Sequence, residues 1–160
     1  MGVSGCGKTT IGRALAETQS WPFLDADDFH PATNVDKMRA GTPLTDDDRR
    51  PWLDGLAAEM TAINARGGNA VLGCSALKEA YRDRLARGGD VRIVYLKGDR
   101  ATIEPRLAAR AGHYMPPSLL TSQFAALEEP ANAIVVDIRL SATEQVAAIR
   151  DALSLASPTP

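Results

Sequence analysis

Residues 2–10 have the sequence GVSGCGKTT, the most informative stretch of the chain. Residues 2–9 match the pattern G-x-x-x-x-G-K-T, in which glycines let the backbone curl until several N–H groups point at one phosphate chain. The helix expected after this loop adds its positive N-terminal end. In the pattern, Lys8 reaches the β- and γ-phosphates and the Thr9 hydroxyl holds Mg²⁺. The stretch predicts a nucleotide-binding site, and the alternative interpretation is a flexible glycine-rich segment.

The composition fits one compact globular domain. The chain has 160 residues, of which 44% are hydrophobic and 24% charged. Its net charge of −2 gives no general attraction to nucleic acids or anionic membranes, so we predict neither as a partner. No apolar run has the length of a membrane span, and no signal-peptide pattern is present. Cys6 and Cys74 lack metal-ligand spacing, which predicts a reduced, cytoplasmic protein with two free thiols.

Strand-like and helix-like segments alternate along the chain. The predicted strands are residues 22–25, 70–74, 91–96 and 133–138. The predicted helices are residues 9–19, a helix beginning near residue 46 and ending at 67–68, and residues 75–87, 99–110, 117–127 and 142–155. This alternation predicts an α/β fold with a parallel sheet covered by helices on both faces.

Two of these helices contain prolines. The sequence TDDD at residues 45–48 has the form of a capping box and predicts the start of the long helix. Alternatively, Pro51 is the first residue of that helix, a position that proline suits. Pro105 lies inside the predicted helix 99–110 and should kink or shorten it.

A phosphate-binding loop of this kind normally follows a buried strand, but only Met1 precedes Gly2 here. A fold of this size would have five strands, and the sequence predicts four. We therefore expect the first strand to be missing, and the natural chain to carry several more β-branched or aliphatic residues directly before Gly2. Without a central strand, buried backbone groups stay unpaired at a cost of roughly 1–3 kcal/mol each.

Carboxylates follow the first of the predicted strands, in the sequence FLDADDFHP. Ligands bind outside the carboxyl ends of the strands in an open parallel sheet. Asp25 and Asp27 are two residues apart and share a face of extended chain, so one can serve Mg²⁺ and the other can accept a proton from an attacking hydroxyl. For Asp28 a solvated acidic turn is the preferred interpretation.

Basic residues further along suggest contacts with phosphate or substrate. Arg106 and Arg110 are four residues apart and lead into the loop AGHYMPP, which fits a lid that excludes water from a phosphate transfer. A solvated helix face is the alternative. His30 and His113 lie beside predicted loops, where contact with a polar ligand is one of two evenly balanced interpretations. No cysteine–histidine cluster indicates zinc.

Taken together, the motifs resemble gluconate kinase (gluconokinase), a small relative of shikimate kinase and the nucleoside monophosphate kinases. The matching stretches are GVSGCGKTT, DADDFHP, NVDKMRAGTPLTDDDRRPWL, GCSALKEAYRDRL, VYLKG, RLAARAGHYMP and LLTSQFAALEEP, which span residues 2–130 in the expected order. No later motif is as well defined as the loop, but their combination is specific.

The resemblance implies a P-loop NTPase-type three-layer domain over residues 1–156, with a lid around residues 106–118 and a disordered tail at residues 157–160. It implies ATP- and Mg²⁺-dependent phosphorylation of D-gluconate at its 6-hydroxyl, by a homodimer. The implied nucleotide-binding residues are Gly2, Val3, Ser4, Gly5, Cys6, Gly7, Lys8, Thr9 and Thr10, and the implied metal ligands are Thr9 and Asp25. The implied catalytic residues are Lys8, Asp27, Arg106 and Arg110. The implied substrate-binding residues are Asp27, His30, Arg49, Arg82, His113 and Gln123.

Two further departures from the family pattern concern the lid. Pro105 stands where a helix-forming residue is expected, and Ala111 replaces a basic residue that often precedes the Gly-His pair. Two alternatives stay open at this point. One is a kinase for another small acid such as shikimate, and the other is a non-catalytic nucleotide-binding protein or an N-terminally truncated form.

Overall fold

The computed structural model describes residues 1–109 and 119–155. Within these ranges helices and short strands alternate, as the sequence predicts. The helices are α1 (Lys8–Gln19), α2 (Ala32–Arg39), α3 (Asp46–Ala65), α4 (Glu79–Ala86), α5 (Arg100–Ala108), α6 (Leu119–Ala126) and α7 (Ala142–Ala152). The strands are β1 (Phe23–Asp25), β2 (Val71–Gly73), β3 (Val94–Lys97) and β4 (Ile134–Asp137), and a 3₁₀ turn covers Ala26–Phe29.

The strands pair in parallel, which confirms the α/β class, but they form two pairs rather than one continuous sheet. β1 pairs with β2, so that Asp25 lies opposite Gly73, and β3 pairs with β4. The first two residues link the pairs: Leu96 N–H donates to the Met1 carbonyl (3.0 Å), and Gly2 N–H donates to the Ser75 carbonyl (3.2 Å).

A cleft of about 620 Å³ separates β2 from β3. Apolar side chains from both strand pairs and from the helices α1, α3, α4 and α7 line it, among them Leu15, Leu24, Met60, Val71, Leu85, Val94 and Ile149. Protein interiors are normally close-packed, and unfilled apolar space costs stability. Met1 lies at the border of the cleft, between the two strand pairs.

The core is divided in the same way as the sheet. One cluster joins α1, β3, β4, α5 and α7 through residues such as Ile11, Leu15, Leu96, Ile103, Val136 and Ile149. The other joins β2, α3 and α4 through residues such as Trp52, Leu53, Leu56, Tyr81 and Leu85. α1 approaches β1 closely because it carries Gly12, where a Cβ would stand 2.5 Å from the Phe23 ring.

Local sequence signals predict the start of α3, but prolines do not end α3 or α5 where they stand. The capping box is confirmed, since the Thr45 hydroxyl accepts from Asp48 N–H (3.2 Å) and the Asp48 carboxylate accepts from Thr45 N–H (2.9 Å). Pro51 lies inside α3, so the alternative start there was wrong. α5 likewise continues past Pro105 to Ala108.

Two helices differ from the sequence expectation, one in where it begins and one in being present at all. α4 begins at Glu79 rather than at residue 75, because Ala76 has a φ of 43°, a left-handed conformation that a helix cannot include. α2 was not expected, because its sequence is polar and follows Pro31 without an apolar stripe. None of the helices in the described ranges is both long and apolar enough to cross a membrane.

Filling the apolar cleft between β2 and β3 should stabilise the protein. Adding about five apolar, β-branched residues directly before Met1 should fill the cleft and pair the facing edges of β2 and β3. We expect the thermal midpoint to rise by at least about 5 °C, which corresponds to roughly 2 kcal/mol for a domain of this size. An extension of equal length made of Gly, Ser and Asp serves as the control. Equal midpoints for the two extensions would contradict this interpretation of the cleft.

Candidate active site

The phosphate-binding loop leads directly into α1. Gly7 has a φ of 101°, a left-handed conformation that favours glycine, and it begins the helix. α1 has neither a side-chain cap nor an acidic residue in its first turn, so its first N–H groups are left for an anion. The Lys8 ammonium donates to the Gly2 carbonyl (3.0 Å) and the Val3 carbonyl (3.1 Å), which holds it along the loop.

Thr9 and Asp25 meet where α1 begins and β1 ends. The Thr9 hydroxyl lies 3.2 Å from Asp25 Oδ2, and Asp25 Oδ1 accepts from Asp27 N–H at 3.2 Å. The described residues contain no group of three His, Cys, Asp or Glu side chains that could hold a metal ion. One hydroxyl and one carboxylate nevertheless fit Mg²⁺, which commonly takes few protein ligands and completes its shell with phosphate oxygens and water.

A pocket of about 70 Å³ adjoins the loop and brings together residues that are distant in sequence. Of the residues implied by the resemblance, Ser4, Lys8, Asp27, His30, Arg49 and Gln123 line it. The pocket therefore brings residues of the phosphate-binding loop together with a carboxylate, an arginine and a histidine.

His30 is held in place by an aromatic stack. Its ring lies 4.2 Å from the Trp52 ring, centroid to centroid, at an interplanar angle of 13°. Trp52 is fixed in turn by its Nε1–H, which donates to the Ala26 carbonyl (2.7 Å). His30 Nδ1 is buried without a hydrogen-bond partner among the described residues. Burial lowers the pKa of His30, an effect that Asp27 opposes and Arg49 reinforces. The imidazole is therefore neutral at neutral pH.

Arg49 presents one edge to the scaffold. Its Nη1 contacts the Leu44 carbonyl, the Thr45 carbonyl (3.3 Å) and the Tyr81 hydroxyl (3.5 Å). Within the described ranges no hydrogen bond involves its Nε or Nη2. That second edge has the two parallel donors that bind a carboxylate in bidentate fashion.

Gln123 contacts the phosphate-binding loop. Its Oε1 accepts from Ser4 N–H (2.7 Å), and its Nε2 donates to the Ser4 hydroxyl (3.0 Å). Gln123 also lines the pocket, so it links α6 to both the loop and the pocket.

Arg82 and Arg106 do not line this pocket. Arg82 is buried, and its Nη1 donates to the carbonyls of Ala76 and Leu77 (both 3.1 Å), so it supports the loop after β2 rather than lining the pocket. Arg106 Nη2 donates to the Ile138 carbonyl (3.0 Å), at the end of β4. Arg110, His113 and most of the expected lid lie outside the described residues.

Sequence reasoning missed several residues that build the pocket. Trp52 and Tyr81 both line it, and neither was singled out. The available signal was their presence in the stretches RRPWL and EAYRDRL, but aromatic residues at helical spacing more often form core. Their roles depend on contacts across the fold that no local pattern encodes.

The environment of His30 predicts a pH effect. The chain has two histidines, and NMR titration should give His30 a pKa below 6.5, with assignment by the His30→Phe variant. Because the folded pKa lies below the unfolded value of about 6.5, the unfolded chain binds this proton preferentially as the pH falls. The free energy of unfolding should therefore decrease below pH 6.5 until the folded pKa is reached. His30→Phe keeps the stack on Trp52 and should remove that slope. A His30 pKa at or above 6.5 would contradict the buried, neutral imidazole.

Comparison with known proteins agrees with this geometry. A family model described as an AAA domain matches residues 1–132. The thermosensitive gluconokinase of Escherichia coli is 49% identical over 131 residues, covering 81% of this chain and 70% of that protein.

Two solved structures are also similar over nearly the whole chain. An unliganded sugar kinase from Janibacter sp. superposes with a TM-score of 0.92 at 43% identity, covering 98% of this chain and 92% of that one. A gluconokinase from Sinorhizobium meliloti superposes with a TM-score of 0.86 at 39% identity, covering 96% and 89%. The loop, the carboxylates beside it and these similarities together place the chain in the gluconokinase family of P-loop kinases.

Proposed function

We propose that the protein transfers the γ-phosphate of ATP to the 6-hydroxyl of D-gluconate, with Mg²⁺ as the metal. The observation that carries this proposal is the single pocket in which Lys8 and Asp27 meet His30 and Arg49. A protein that only binds nucleotide does not need such an acceptor space beside the loop. Membership of a family whose named members are gluconokinases supports the choice of acceptor.

The loop and the start of α1 would bind the phosphates of ATP. The uncapped N–H groups of α1 suit the β-phosphate, and Lys8 would exchange its two loop carbonyls for phosphate oxygens. Thr9 and Asp25 would hold Mg²⁺, which when bound neutralises charge on the phosphates. Arg106 and Arg110 remain predicted lid residues, and for Arg106 this requires leaving the Ile138 carbonyl.

The acceptor would lie with its two ends at different walls of the pocket. Asp27 is linked to the metal side through its N–H bond to Asp25, which contacts Thr9, and from there it would orient the 6-hydroxyl and accept its proton. The Nε–Nη2 edge of Arg49 would bind the carboxylate of gluconate. Neutral His30 can both donate to and accept from hydroxyl groups between them. Gln123, held by its hydrogen bonds to Ser4, would also contact the substrate. The homodimer and the cytoplasmic location remain predictions.

The substrate should be identified by a panel of acceptors. Purified protein with ATP and Mg²⁺ is given gluconate, shikimate, glycerate or nucleoside monophosphates, and release of ADP is measured. We expect turnover with gluconate, and a decrease in kcat of about 10²–10³-fold for Lys8→Ala, because the variant lacks a charge on the transferring phosphate. Lys97→Ala, at an exposed pair with Glu129, is the matched control. Turnover of shikimate without turnover of gluconate would overturn the proposal.

Asp27 and Asp28 provide a matched pair that tests the proton acceptor. Asp27 lines the pocket, whereas its neighbour Asp28 is exposed and does not. Asp27→Asn should lower kcat by about 10²–10⁴-fold, the usual contribution of a general base. Asp28→Asn should leave kcat within about twofold. Similar losses in both variants would show that the pair acts through general charge and not through Asp27.

A further inference from the structure

Arg49 belongs to a cluster of charged and aromatic side chains that also includes Asp46, Lys78 and Tyr81. Of these four residues, Arg49 and Tyr81 line the pocket. We call these four residues the Asp46 cluster. Asp46 begins α3, whereas Lys78 and Tyr81 lie at the start of α4, so the cluster joins two helices that are 32 or more residues apart in sequence.

Asp46 is the centre of this cluster. Its two carboxylate oxygens lie 2.8 Å from the Lys78 ammonium, and its Oδ1 also accepts from the Tyr81 hydroxyl. These bonds lower the pKa of Asp46, chiefly through Lys78 and then Tyr81. Asp46 is not needed to cap α3, because Thr45 and Asp48 form the capping box.

Tyr81 connects Asp46 to Arg49. Its ring is buried, and the Arg49 guanidinium and the Lys78 ammonium each lie 5.6 Å from the ring centroid. Burial, with the hydrogen bond to Asp46 as a second cause, raises the pKa of Tyr81. The residue therefore stays a phenol that donates its proton to Asp46, and its oxygen lone pairs face Arg49 Nη1 at 3.5 Å.

The cluster also balances charge beside the pocket. Asp46 lies between two cations, with Lys78 Nζ at 2.8 Å and Arg49 Nη1 at 4.0 Å from its carboxylate, so the four residues carry a net charge of +1. Arg49 is partly buried, with 26% of its side chain exposed, while Asp46 is 61% exposed. An exposed ion pair contributes little to the free energy of unfolding. The main effect of the Asp46 contacts is therefore to restrict the positions of Lys78 and Tyr81.

We propose that Tyr81, held by Asp46 and Lys78, is a positioning residue that fixes the guanidinium plane of Arg49, so that its Nε–Nη2 edge faces the acid group of the substrate. This inference rests on the proposed function for the identity of that substrate. It separates two contributions of Tyr81: the ring supports Arg49 by contact, and the hydroxyl sets its orientation.

Steady-state kinetics with Tyr81→Phe test the hydroxyl. The variant keeps the ring and loses the hydrogen bond to Asp46, so we expect the KM for gluconate to rise by about three- to tenfold, the equivalent of one hydrogen bond. The KM for ATP and the thermal midpoint should stay unchanged. Tyr81→Leu also removes the ring and should raise the KM for gluconate further.

Asp46 and its neighbour provide the matched control. Asp46→Asn should raise the KM for gluconate as Tyr81→Phe does. Asp47 lies in the same helical turn, is 85% exposed and pairs with Arg50, so Asp47→Asn should change nothing. Equal values of the KM for gluconate in Tyr81→Phe and the unmodified protein would overturn the positioning role while leaving the proposed function intact.

A measurement without substrate separates the two proposals. The Nε–H signal of Arg49 in a ¹⁵N spectrum, assigned with Arg49→Lys, should be sharp in the unmodified protein and in Asp47→Asn, and broadened in Tyr81→Phe. This result would support the positioning role even if the acceptor panel failed with gluconate. A signal equally sharp in Tyr81→Phe would refute it whatever the substrate.

Discussion

The hydrogen bond between Thr9 and Asp25 joins the two halves of the candidate site. Thr9 belongs to the helix that follows the phosphate-binding loop, and Asp25 ends the strand that leads to the acceptor residues. Because Asp25 also accepts from Asp27 N–H, the same carboxylate fixes the backbone of the proposed proton acceptor. In the proposed reaction, this contact between α1 and β1 would bring metal, phosphate and attacking hydroxyl together.

The loop that carries this contact lies between the two strand pairs of the divided sheet. The phosphate-binding loop is attached to β3 and to the end of β2 through backbone hydrogen bonds of Met1 and Gly2, and the 620 Å³ cleft lies between the two strand pairs. The candidate pocket is lined by residues of α3, α4 and the 3₁₀ turn, next to the core that contains Trp52, and by residues of the loop and of α6. The cleft also borders this core, because Leu85 belongs to it and Met60 packs against it, and both line the cleft. The cleft therefore bears on the stability of the loop and of the helices that carry the pocket's walls.

Periodicity and local signals predicted the four described strands, the start of α1 and the Thr45 capping box, because each depends on neighbours in sequence. They failed where distant contacts decide. Pro51 is tolerated inside α3, whose next residues Trp52 and Leu53 are buried in the core. Arg82 donates to the carbonyls of Ala76 and Leu77, contacts that no local pattern indicates, and its role at the substrate, implied by the resemblance, stays a prediction. The Asp46 cluster was likewise not predicted, since its partners come from two helices.

The central claim is that the pocket orients an acid with its carboxylate at Arg49 and its far hydroxyl at Asp27, beside the phosphate of ATP. The most direct test is to identify the phosphorylated atom of the product by ³¹P–¹H correlation NMR after incubation with ATP, Mg²⁺ and D-gluconate. The account predicts one phosphomonoester coupled to the two protons of C6. Phosphate on another carbon or on the carboxylate, or release of inorganic phosphate alone, would contradict it.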